Sequence, residues 1–527
     1  MSSSSLQWLS LVGAIWLQSI NGTNSNFPAY SSQLKQLLSI SQLQLNNLAF
    51  ASDAGKLFGW LSGIAAVYLP LWLVLIIGAF LGLVGYGVQY LFITNHISSL
   101  SYAHIFLLTV LAGNSICWIN TVCYVVIIRN FPVNYRQVAV GITTSYLGLS
   151  AKVYTVAVNA VYSTPTKRAK AYLLFNSVFP LVVCVIAAPL ARGINNVGNL
   201  RRTKGGLIIM FVITIATGIY AIISSFGSVS KRLAPLNNLI GTATCLLLPL
   251  VIPLAVKIRD ALTGDWWLNR ETRVHSSVVE ENIIGVEGLE NEVKEDEHLS
   301  HDQNSEEAMK AEIGVKLMLQ RIEFWLYYFV YFFGATLGLV FLNNLGQIAE
   351  SRGYSATSSL VSLSSSFGFF GRLIPSLLGY FFSRSKYMIS SPASIAAVMA
   401  PMAAAFILLL NKSNIALYTS TAIIGVCTGA ITSISVSTTT ELFGTKNFSV
   451  NHNVVVTNIP VGSFLFGYLA ALVYRKQGHN EDGKCMGMEC YRNTFILWGC
   501  FCFLGTFLAL ILYARTRKFY SQRYFTR

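Results

Sequence analysis

The sequence predicts an all-α polytopic membrane protein: two bundles of six helices, with an extra pair of helices before a central polar loop. Three observations carry this. Of 527 residues, 54% are hydrophobic and 11% charged, against about 25% charged in a soluble domain. Apolar runs of about 20 residues, the length that crosses a bilayer, recur along almost the whole chain. None alternates polar and apolar residues with a period of two, so helices are expected rather than barrel strands.

Fourteen spans are expected, at 6–30, 45–67, 71–93, 102–127, 138–161, 172–191, 207–226, 237–256, 324–345, 357–382, 391–410, 416–438, 452–474 and 493–515. The first lacks a basic flank and a small-residue cleavage site, so it reads as retained rather than as a signal peptide. Spans one to six form an N-terminal bundle in 1–191, and spans nine to fourteen a C-terminal bundle in 324–515. Spans seven and eight form an extra hairpin in 192–256. Residues 257–323 form an acidic loop, and 257–320 of it hold fifteen of the 22 Asp and Glu residues. The centre of that segment, "VEENIIGVEGLENEVKEDEHLSHDQNSEEAMKAE", is acidic and poor in aromatics, the composition of a disordered cytosolic loop. Residues 516–527 form a basic tail. An even number of crossings puts both ends and the long loop on one side, expected to be cytosolic.

The net charge of +15 does not indicate a nucleic-acid partner, because the basic residues are scattered over short loops and the tail. Anionic lipid headgroups suit that tail. There is no GxxxxGK[ST] loop for ATP, no GxSxG and no His-acid metal pattern within the spans. Enzyme chemistry, a metal and a cofactor are therefore not expected, and a monomer in the bilayer is. Of nine Cys, seven sit in apolar spans and read as small buried hydrophobes. Cys485 and Cys490 lie in the polar loop between the last two spans and can pair if that loop faces an oxidising side.

The informative residues are the charges at bilayer depth, each of which costs about 2.5–3.5 kcal/mol on insertion scales. In "FASDAGKLFGW" Asp53 lies a third of the way into span two. Lys56, three residues on, shares its helix face. Lys152 lies near the middle of span five, in "GLSAKVYTVAV", on a stripe of Gly141, Ser145, Gly148, Thr155 and Asn159. Span one offers Gln18, Asn21 and Asn24 or Ser25, so the three spans can line one polar cavity. Read for function, Lys152 is an anion-binding cation among Asn21, Asn24, Ser145 and Thr155, and Asp53 with Lys56 is a proton-sensitive or gating pair. Read for structure, Asp53 and Lys56 neutralise each other and lock packing while Lys152 meets a carbonyl. In the second half Pro460 removes a helical hydrogen bond close to Thr457 and Asn458, which makes Asn458 a candidate ligand. Arg372, in "SLSSSFGFFGRLIPSLLGYF", is a candidate for coupling or gating.

Several segments resemble the plant nodulin-like group of the major facilitator superfamily. They are "WLSLVGAIWLQSINGTNSNFPAYSSQLKQLLSISQLQLNNLAFASDAGKLFGWLSG", "IGAFLGLVGYGVQYL", "RNFPVNYRQVAVGITTSYLGLSAKVYT", "FFGRLIPSLLGYFFSR" and "TELFGTKNFSVNHNVVVTNIPVGSFLFGYLAALVY". The resemblance implies a plant source and two pseudo-symmetric bundles working by alternating access. The wider superfamily often carries an acid and arginines after its second helix. Here that loop is the uncharged "AVYLPLW", and "GRLIPSLLGYFFSR" echoes it only partly, with Arg372 and Arg384.

Taken together, the residues and the resemblance point to a secondary active transporter of a small polar solute, an anion, coupled to protons. A membrane sensor signalling through the acidic loop is the alternative. The plasma membrane is the expected location, with vacuolar or other internal membranes as alternatives.

Overall fold

The computed structural model describes residues 3–162, 164–194, 200–225, 234–262, 313–354, 357–382, 390–477 and 485–525. A helical run occupies each of the fourteen expected spans, and the described residues contain no strand. The runs are α1 (Ser3–Asn21), α2 (42–68), α3 (Leu71–Ile93), α4 (Tyr102–Asn130), α5 (Val133–Val161), α6 (Pro165–Ala187) and α7 (Leu200–Ile223). They continue with α8 (Pro235–Leu262), α9 (Ile322–Ser351), α10 (Thr357–Phe382), α11 (Ser391–Leu408), α12 (Asn414–Phe443), α13 (Phe448–Gln477) and α14 (Glu489–Phe525).

Local chemistry sets the starts. Ser101, Ser390 and Ser413 cap α4, α11 and α12 by accepting hydrogen bonds from backbone N–H groups of the first turn, which would otherwise be unpaired. Pro165 and Pro235 sit at the first positions of α6 and α8, where a missing N–H costs nothing.

Four runs are interrupted: α8 by a 3-10 turn, Leu248–Leu250, and α2, α9 and α13 as follows. In α2 a 3-10 turn, Gly55–Phe58, separates two α-helical pieces. At Gly55 an added Cβ would run into the backbone of α4 at Val110 and Asn114, so glycine is what lets the two helices close up there. In α9 a π turn spans Phe332–Thr336. In α13 the helix is interrupted at Thr457, three residues before Pro460.

Ten of the runs are long and apolar enough to cross a membrane. The other four, α1, α2, α5 and α10, carry the amides, hydroxyls and charges, and they pass through the interior. α5 packs along α10, and this pair forms one seam between the bundles; α2 against α13 forms the other. The extra hairpin of α7 and α8 lies against α1, α5 and α10: Leu207 and Met210 join the same core cluster as Trp8, Tyr146 and Phe369, and the Trp16 indole donates to the Leu246 carbonyl at 2.8 Å.

Two boundaries differ from the expectation. Span one does not reach residue 30. α1 ends at Asn21, and "NGTNSN" turns into a 3-10 turn, Phe27–Ala29, and a short helix, Ser31–Leu38, because Asn and Gly favour turns. Asn24 therefore sits on a turn, off the helical stripe of Gln18 and Asn21. The tail at 516–527 continues the last helix to Phe525. Residues 263–312, most of the acidic loop, lie outside the described residues; beyond them Ile313 N–H donates to the Phe443 carbonyl at 3.0 Å.

A central cavity between the bundles

By the alternation of crossings, the termini and the acidic loop mark one face (the loop side), and the turns after α1 and α9 mark the opposite one (the far side). Two chambers lie in series between the bundles. The loop-side chamber, about 910 Å3, is lined by Lys56, Asn120, Tyr124, Tyr331, Phe448 and His452 among others. The far-side chamber, about 690 Å3, includes Asp53, Asn343, Ser364, Ser365 and Thr428. They adjoin at Asn24, Ser25, Leu147, Leu339 and Arg372, which line both.

Asp53 and Lys56 are both buried, at 1% and 6% exposure. Lys56 Nζ lies 2.6 Å from Asp53 Oδ1. The 3-10 turn between them tightens the i, i+3 spacing so that the two side chains eclipse. The second carboxylate oxygen crosses the seam: Asp53 Oδ2 accepts from Asn343 Nδ2 of α9 at 3.0 Å and from Ser463 Oγ of α13 at 2.7 Å. Further out on the same side, Gln347 Nε2 donates to Asn46 Oδ1 at 2.5 Å and Ser32 Oγ to Glu350 Oε1 at 2.7 Å.

The loop side is crossed differently. Ser449 Oγ donates to the Gly63 carbonyl at 3.0 Å, and Asn453 Nδ2 to Thr121 Oγ1 at 2.9 Å. A Cβ at Gly63 would lie 2.6 Å from the Ser449 carbonyl oxygen, so α2 and α13 meet backbone to backbone.

Arg372 projects from α10 toward both chambers, beside the Tyr124 and Tyr331 phenols. Among the described residues no carboxylate pairs with it. Asn24 shares both chambers with it, while Asn21 stands one layer back and donates to the Ile116 carbonyl at 3.1 Å and to Asn120 Oδ1 at 2.9 Å, which orients Asn120.

Lys152 does not share this hollow, contrary to the expectation of one cavity for all three charges. It lines neither chamber. Its ammonium donates to the Ala221 carbonyl at 2.8 Å and to Ser225 Oγ at 2.7 Å, both at the end of α7. The physical reason is the extra hairpin, which covers that face of α5. The small stripe around Lys152 serves close packing. At Gly148 an added Cβ would lie 2.7 Å from the Phe369 N of α10. Ser145 Oγ donates to its own helix at Ile142 O, 2.6 Å away. Thr155 Oγ1 donates to Ala151 O and accepts from the Tyr172 hydroxyl at 3.1 Å. Asn458 also lines neither chamber: it is buried and accepts from Thr336 Oγ1 at 2.7 Å, joining the break in α13 to the π turn of α9. Cys485 and Cys490 are joined by a disulfide.

Tyr124, Tyr331, Asn120 and His452 are cavity residues that sequence reasoning did not single out. The aromatics look like core in an apolar run. "NHN" at 451–453 was the one available signal, since three polar side chains in a row inside a span need an interior partner.

Residues 7–258 match the family described as Nodulin-like, and residues 306–522 the NFD4 C-terminal domain. Over 98% of its length the chain is 40% identical to Protein NUCLEAR FUSION DEFECTIVE 4 of Arabidopsis thaliana, covering 90% of that protein. The chain belongs to the nodulin-like family. Among solved structures it is similar to a proton-dependent oligopeptide transporter (TM-score 0.54, 14% identity, 98% of this chain and 100% of the other). It is equally similar to a proton:xylose symporter of the major facilitator superfamily (TM-score 0.54, 11% identity, 96% and 95%). This nodulin-like chain thus carries the major facilitator fold, the fold of solute transporters, and is an integral multi-pass membrane protein.

Proposed function

We propose that this protein is a secondary transporter that carries a small anionic solute by alternating access, with proton binding at Asp53 coupled to the movement. The observation that carries the reading is Arg372, a guanidinium facing both chambers with no carboxylate partner among the described residues. An unpaired cation in a hollow between two bundles is where an anion gains most from leaving bulk water. Asp53 supplies the coupling. Its carboxylate holds Lys56 and spans the seam to Asn343 and Ser463. A proton there weakens all three contacts, frees Lys56 for the solute and loosens the far side, so proton and anion load together.

The test is uptake of radiolabelled anions, across a panel, into proteoliposomes under an imposed proton gradient. Wild type accumulates an anion, Arg372→Gln does not, and Arg372→Lys does so at a reduced rate. Asp53→Asn still exchanges solute between equal pools but no longer accumulates it against a gradient when protons are supplied. Uptake of cations alone would rule the reading out.

A further inference from the structure

The chamber walls constrain the solute beyond its sign. Among the residues lining the two chambers, the ionised side chains are Asp53, Lys56 and Arg372. Lys56 and Asp53 cancel at 2.6 Å, so with Asp53 ionised Arg372 leaves one positive charge, and its one guanidinium fork takes one carboxylate. A proton on Asp53 adds Lys56 as a second cation.

One wall is aromatic. Phe448 and His452 stack at 5.1 Å and 15° between ring planes. Tyr124 stands edge-on to both, 5.5 Å from His452 at 89° and 6.3 Å from Phe448 at 83°. All three rings line the loop-side chamber together with Arg372. Such a wall favours another flat ring, stacked or edge-on.

On the basis of the anion reading above, we propose that the loop-side chamber binds an aromatic monocarboxylate, its carboxylate on Arg372 and its ring against the Tyr124–Phe448–His452 wall. A guanidinium fork fits a carboxylate bidentately, and the Asn120 amide and Tyr331 phenol are placed to hold polar substituents on the ring.

The experiment is uptake of radiolabelled benzoate into proteoliposomes of the full chain, with unlabelled benzamide and acetate as competitors. Each of the two competes at least about tenfold less well than unlabelled benzoate, a difference of one decade in binding constant. Phe448→Ala narrows the gap between benzoate and acetate, whereas Arg372→Gln abolishes competable entry. Benzamide competing as well as benzoate overturns the pairing of the carboxylate with Arg372; acetate doing so overturns the aromatic wall. If benzoate fails to enter while chloride or sulfate is carried in an Arg372-dependent way, the substrate class is wrong and anion transport stands. If no anion is carried, both fall. The wild-type competition decides without any variant, so a poorly folding variant does not blunt the test.

Discussion

The two ends of the seam between the bundles are closed by different materials. On the far side a buried carboxylate does the bridging: Asp53 holds Lys56 in its own bundle and reaches Asn343 and Ser463 in the other. On the loop side the bridges of α2 and α4 to α13 among the described residues, Ser449 and Asn453, are neutral, and contact depends on Gly63 letting two backbones meet. A closure built on charge can be undone by adding a proton or by offering the cation another anion. A closure built on shape responds to neither. On the transport reading proposed above, the difference makes the far side the end that a solute and a coupling proton would address, and the loop side the end held by the fit of α2 and α13.

The comparison can be broken at either end. The largest effect is expected from Asp53→Ala, which strands Lys56 as an uncompensated buried charge. A loss of about 3–5 kcal/mol follows, read as a drop in thermal unfolding midpoint in detergent, and Lys56→Ala on the same chain should recover most of it. If the single variant is as stable as wild type, the pair is not the far-side lock. Next is Gly63→Leu, which overpacks the backbone contact at a cost of about 1–3 kcal/mol. It should raise maleimide labelling of Cys117, a free thiol lining the loop-side chamber, and leave the far side closed. Unchanged labelling would show that α2 and α13 do not hold that end. Smaller still is the contrast between two amides. Asn343→Ala removes a hydrogen bond to a charged group, about 1.5–3 kcal/mol, and Asn453→Ala a neutral one, about 0.5–1.5 kcal/mol. Equal losses in the unfolding midpoints would erase the distinction between charged and neutral closure.

The helices were legible because bilayer thickness writes itself into run length: α3 spans the same 71–93 that hydropathy alone indicates. The Asp53 and Lys56 pairing was legible too, since i, i+3 spacing is a local property of a helix. Partners across the seam were not. Asn343 and Ser463 lie 290 and 410 residues from Asp53, and their types carry no sign of whom they meet. Lys152 shows the limit most clearly. Its stripe of small residues fits a cavity wall or a tight helix contact equally well, and only the position of the extra hairpin decides. Arg372 showed the reverse: it sat among hydroxyls and glycines that read as packing, yet it faces the open hollow. The break at Thr457 was foreseen from Pro460, but its partner, the π turn of α9, leaves no mark in composition.

The end of α7 has a consequence for how far the two halves can travel. The single carbonyl of Ala221 receives Lys152 from one half at 2.8 Å and Ser366 from the other at 3.3 Å, with Ser225 joined to both. The added helices thus stand as a third body tied to both halves at one carbonyl. If the halves move as the proposed transport cycle requires, these bonds are the ones that must stretch or break, and the hairpin would act as a stop rather than an ornament.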